Sequence, residues 1–122
     1  MSVMFSYCSS LKELNLSNFN AINVSDIRNM FYNCSSLEKL NLSNFNSKNV
    51  NRMEDMLYKC SSLTEIKISN FYVNNAYDIR DIFYECPDEL KKKIKRENKI
   101  QKLIMILLYF LILKILIKYY FK

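Results

Sequence analysis

The chain has 122 residues, half of them apolar, a formal net charge of +6, four cysteines and one proline, and it contains no glycine, histidine or tryptophan. Without histidine the commonest general base and the commonest metal ligand are gone, and without glycine no phosphate-cradling loop can be built, so most hydrolase, zinc-enzyme and phosphate-loop readings have no residues to rest on. The charge is uneven: residues 1–90 hold 8 basic and 11 acidic side chains, while residues 91–122 hold 10 basic ones and a single acid, Glu97, which confines the basic character to the tail and argues against nucleic acid as a partner.

The opening "MSVMFSYCSS" has neither a basic leader nor an unbroken apolar stretch, so it does not read as a secretory signal. From Cys8 onward one segment occurs three times. "CSSLKELNLSNFN" from Cys8 returns as "CSSLEKLNLSNFN" from Cys34 and as "CSSLTEIKISNFY" from Cys60, and Cys8, Cys34, Cys60 and Cys86 are each 26 residues apart. The units are residues 4–29, 30–55 and 56–81, with a partial fourth at 82–86 that breaks at Pro87. A fixed period of this length indicates stacked supersecondary units.

Within a unit two periodicities alternate. Leu37, Leu40, Leu42 and Phe45 of "SLEKLNLSNF" fit L-x-x-L-x-L-x-x-F, where Leu40 and Leu42 alternate as on a strand. In "NVNRMEDMLYKC" the residues Val50, Met53, Met56, Leu57 and Cys60 recur at steps of three and four, which predicts a short helix. Asn23, Asn49 and Asn75 stand where an N-cap belongs, and Asp26 and Asp78 come three residues later, where a carboxylate suits the helix dipole. The expected fold is therefore α/β: a short curved leucine-rich-repeat-like solenoid with one strand and one helix per 26-residue unit, followed by a C-terminal hydrophobic helix. Stacking would align Leu14, Leu40 and Ile66 in one row, Leu16, Leu42 and Ile68 in a second, and Phe19, Phe45 and Phe71 in a third.

The unit "MFYNCSSLEKLNLSNFNSKNVNRMEDMLYKCSSL" resembles the M-F-x-x-C-x-S-L-x-x-L-x-L-S-N-F unit of the BspA-like leucine-rich repeat surface proteins, over residues 1–86. The resemblance implies a leucine-rich-repeat surface that binds proteins or other cells. Residues 1–3 align with the interior of a preceding unit, so a truncated or degenerate member of that family is expected.

The cysteines occupy one apolar position of each unit and lack the close pairing that zinc sites use, which predicts packed thiols and no metal. The strand residues that point away from the core are Glu13, Asn15 and Ser17; Lys39, Asn41 and Ser43; and Glu65, Lys67 and Ser69. On the concave face of such an array they are the candidate partner-binding residues. Asn15, Asn23, Asn33 and Asn41 begin N-x-S sequons that an Asn-rich composition accounts for.

"CPDELKKKIKREN" leaves the repeat. Pro87 in a first turn, with Asp88 and Glu89 after it, predicts a basic capping helix or linker over 87–102. Residues 103–121 then form a candidate membrane anchor: thirteen Leu, Ile and Phe favour insertion by about 6 kcal/mol, against a cost of up to about 3 kcal/mol for Lys114 and less for Lys118. Seven of the twelve residues from 91 to 102 are basic, which would hold that side, and the repeats with it, in the cytosol. The resembled family implies cell-surface display instead.

The function expected is a non-enzymatic protein–protein interaction or adhesion module, membrane-tethered through 103–121, with a protein partner and no cofactor, small-molecule substrate or nucleic acid. The alternative is a vestigial repeat fragment that is structural only.

Overall fold

The computed structural model describes residues 1–46, 48–68 and 81–121. Ser69, Phe71, Asn75 and Asp78 lie outside the described residues. The chain divides into two compact units, Met1–Leu90 and Lys91–Lys122.

In the first unit three short strands, β1 (Glu13–Asn15), β2 (Lys39–Leu42) and β3 (Glu65–Ile68), form a parallel sheet in the order β1-β2-β3. The register sets Leu14 against Leu40 and Leu40 against Ile66, so each residue pairs with the one 26 positions on. Alternation sorts the two faces. Leu40 and Leu42 are buried while Lys39 is exposed and Asn41 half-buried.

The expected strand-plus-helix solenoid is not what the chain forms. Among the described residues there is a small three-stranded parallel sheet and one long C-terminal helix, with helical backbone besides only at Asp81 and Ile82, and the segments between the three strands are turns and irregular chain. The backbone shows why. Asn29 and Asn33, and again Asp55 and Lys59, adopt positive φ of 53°, 56°, 55° and 60°, leaving three residues between them, too few to close an i→i−4 hydrogen bond. The N–H groups instead alternate. Tyr32 and Cys34 donate to the carbonyls of Asn29 and Phe31, three residues back, while Asn29, Phe31 and Asn33 donate sideways to Glu54, Met56 and Tyr58 of the next unit at 2.7–3.1 Å. These lateral bonds satisfy backbone groups that a helix would have used internally.

Asparagine and aspartate tolerate the left-handed region, but Val3, Tyr7, Lys59 and Glu85 also enter it with φ of 64°, 61°, 60° and 56°, at roughly 1 kcal/mol each. A chain with no glycine holds these turns by the hydrogen bonds and the core around them. That core is built of Ile27, Met30, Phe31, Cys34, Leu37, Leu40, Leu42 and Phe45, with Met56, Leu57, Cys60 and Leu63 from the next unit, all at most 1 % exposed. Phe5 stacks on Phe31 with centroids 5.5 Å apart, and Phe19 on Phe45 at 6.3 Å.

The capping roles expected of Asn23, Asn49 and Asp26 fall with the helices. Asn49 donates from Nδ2 to the Ile22 carbonyl at 2.6 Å, and Asn44 likewise to Ser17 at 2.7 Å. Asp26 turns back on Arg28.

The C-terminal helix, α1 (Asp88–Tyr120), runs without a break through both the basic stretch and the apolar one. Pro87 precedes it, Asp88 and Glu89 occupy its first turn, and Lys118 its last, the charge order that complements the helix dipole. From Leu103 to Phe121 every residue is exposed.

Candidate functional site

The outward sheet face brings most of the expected residues together. Glu13, Lys39 and Glu65 are successive register partners, and so are Asn15, Asn41 and Lys67. With Leu14 and Leu40 they line an open depression of about 270 Å³. Ser17 and Ser43 stand just past the strands, half-buried, and their N–H groups donate to the side-chain oxygens of Asn15 and Asn41 at 2.9 and 3.0 Å. These Asx turns bend the chain out of the sheet and fix both amides.

The charges on this face answer one another. Lys39 Nζ lies 2.7 Å from Glu13 Oε1, and Lys67 Nζ lies 3.7 Å from Glu65 Oε1. The contact with Glu13 raises the Lys39 ammonium above its ordinary range. Both pairs are well exposed, so solvent screens them and they fix side-chain positions more than they stabilise the fold. With two cations and two carboxylates in alternation, the face offers a patterned, electrically balanced surface. Its volume is below the usual range for small-molecule pockets.

A second surface feature is not among the expected residues. Tyr7, Tyr32, Tyr58 and Tyr84 form a file, with centroid separations of 5.5, 5.0 and 4.8 Å and the last two contacts stacked. Tyr7 is 65 % and Tyr84 47 % exposed. Desolvation within the stack, with Tyr84 beside it, raises the Tyr58 phenol, and Lys59 Nζ sits 5.7 Å from its ring centre. The signal is present in the sequence, since Tyr32, Tyr58 and Tyr84 recur at the same 26-residue period as the cysteines.

The four cysteines are thiols, Cys8 half-buried and the others buried. They do more than fill space. Cys34, Cys60 and Cys86 each donate from Sγ to the carbonyl of Phe5, Phe31 and Leu57 at 3.0–3.1 Å. The contact with Cys34, together with burial, pushes the Cys60 thiol far above its ordinary range, which makes it unreactive. Among the described residues no cluster of three or more His, Cys, Asp or Glu is placed to hold a metal. Circular dichroism of the folded chain is therefore expected to stay unchanged on adding a reductant or a chelator. Loss of signal with either would point to a bridge or a metal.

Outside the sheet face, Asp26 makes a forked contact with Arg28. Its carboxylate accepts from Arg28 Nε at 3.1 Å, from Nη2 at 2.8 Å and from the Arg28 N–H at 3.1 Å, with Arg52 Nη1 4.0 Å away. The Arg28 hydrogen bonds lower its pKa from 3.8 to about 2. Because the folded value is the depressed one, the contribution to stability is present above the unfolded value and is lost as pH falls toward the folded one. An NMR titration should place the native midpoint near 2, and Arg28→Ala should return it toward 3.8. A native midpoint already at 3.8 would remove the fork.

The helix α1 is long and apolar enough to cross a membrane by length and composition. Compared with known proteins, the chain matches no curated protein and no solved structure. Its residues 1–106 match the family described as Mycoplasma protein of unknown function, DUF285. The match covers most of the chain, and the protein belongs to that family.

Proposed function

We propose that the chain is a membrane-tethered, non-enzymatic interaction module, in which the outward sheet face binds a protein partner and α1 anchors the module in a bilayer. The observation that carries this reading is the bare apolar half of α1: 18 residues from Leu103 to Tyr120 are all exposed, and at about 1.5 Å per residue they extend about 27 Å, close to the hydrocarbon thickness of a bilayer. A stretch this apolar exposed to water would be a strong aggregation site, whereas lipid satisfies it. The resemblance of residues 1–86 to the BspA-like repeat supports the binding half of the proposal, and so does the ordered row of Glu13, Lys39 and Glu65 with Lys67 two residues along the last strand.

The basic excess over 91–102 favours keeping that end of the helix in the cytoplasm, with residues 1–90 on the same side of the bilayer. Protease added to sealed vesicles made by cell-free insertion should therefore digest residues 1–90 from the cytoplasmic side. Digestion only from the opposite side would reverse the orientation to surface display. For the binding half, a photo-cross-linker at Asn41 or Lys67 should give one and the same protein adduct, while one at Glu54 should not. Equal labelling from all three positions would dismiss the sheet face as the site.

A further inference from the structure

The continuous helix joins two features that the sequence presents as separate segments. Lys95, Arg96, Lys99 and Lys102 are all exposed and lie immediately before the apolar run. At about 100° per residue they fall within an arc of about 120° on one side of the helix. Glu97 lies outside that arc, toward the opposite side. None of the ion pairs among the described residues involves any of the four cations. Along the axis they extend over about 10 Å, enough to cross the roughly 5–8 Å headgroup layer that borders each side of the hydrocarbon core. The same rigid helix thus places a one-sided row of cations at the depth of the headgroups whenever its apolar part is in the core.

We infer that this row binds the headgroups of anionic phospholipids. The inference rests on the anchor reading and specifies the lipid that the anchor prefers. The ligand chemistry is a phosphodiester carrying net negative charge. A zwitterionic headgroup offers the same phosphate but cancels it with its own cation. Lysine stems are long enough to lie along the helix and present their ammonium groups at the interface. Each such cation near an anionic surface strengthens binding, so four of them should raise the affinity on the order of a hundredfold to a thousandfold at low salt. The preference should shrink as salt rises, because the ammonium groups remain in contact with solvent.

The test is cell-free synthesis of the full chain in the presence of two vesicle populations distinguished by dye. One is phosphatidylcholine alone, and the other is phosphatidylcholine with phosphatidylglycerol. Recovery by flotation should strongly favour the anionic vesicles. The quadruple variant Lys95→Gln, Arg96→Gln, Lys99→Gln and Lys102→Gln should be recovered about equally from both, since glutamine keeps the helix propensity and removes the charge. Equal recovery of the unmodified chain from the two vesicle types would overturn the lipid preference and leave the anchor standing. Recovery from neither would overturn both. Retention on a polynucleotide combined with equal vesicle recovery would assign the cations to nucleic acid and sink the proposal.

Discussion

Phe45→Ala is expected to destabilise the first unit by about 3–5 kcal/mol. The ring is 1 % exposed and stacks on Phe19 at 6.3 Å, so truncation opens a cavity between neighbouring units that short turns are poorly able to close. A domain of this size has a total stability of only about 5–15 kcal/mol, so the loss is a large fraction of the whole. At roughly 4–8 °C per kcal/mol, a thermal melt monitored by circular dichroism should fall by at least about 12 °C. The control is Asn18→Ala, at a surface position, which should melt with the parent. If Phe45→Ala also melts within a degree of the parent, the packed row is not what holds the unit together.

The second large effect belongs to the helix. Leu107 and Leu111 are exposed, one turn apart, near the middle of the apolar stretch of α1. Replacing both with lysine should cost about 6 kcal/mol of insertion free energy. The native stretch is favourable by only a few kcal/mol once Lys114 and Lys118 are counted, so the sign reverses. The double variant should appear in the soluble or aggregated fraction, while Leu107→Ile with Leu111→Ile should remain with membranes. Retention of the lysine variant in the bilayer would show that something other than the apolar helix holds the protein there.

The pairing of Leu14 with Leu40 and Ile66 is legible in the sequence because a 26-residue period leaves little choice of register once one strand per unit is recognised. The outward positions on the strands, Glu13, Asn15, Lys39, Asn41, Glu65 and Lys67, are legible for the same reason, since strand alternation fixes them, whereas Ser17 and Ser43 lie past the strands in Asx turns and Ser69 lies outside the described residues. The helices are misread because Val50, Met53, Met56, Leu57 and Cys60 recur at three and four, and a run of turns with left-handed residues four apart gives the same spacing as a helix. The distinguishing information lies in Asn29, Asn33 and Asp55, residue types that accept positive φ, but Lys59 at the equivalent place accepts it only because the lateral ladder holds it there. Such tertiary control leaves little trace in local composition.

The tyrosine file is hidden for a different reason. Apolar rows draw the eye away from half-exposed rings, although Tyr32, Tyr58 and Tyr84 repeat as sharply as the cysteines. The continuity of α1 is equally invisible as a single feature. A switch from basic to apolar residues at Lys102 reads as a boundary in composition, yet lysine and leucine both favour helix, so nothing in the backbone stops there.

The most direct measurement of the central claim, that α1 anchors the chain in a bilayer, is alkaline carbonate extraction of membranes carrying the full chain. Carbonate strips proteins held by surface charge and leaves those whose apolar segments lie in the hydrocarbon. The account predicts that the protein stays in the membrane pellet. Its release into the supernatant would contradict the anchor, and with it the tethered module.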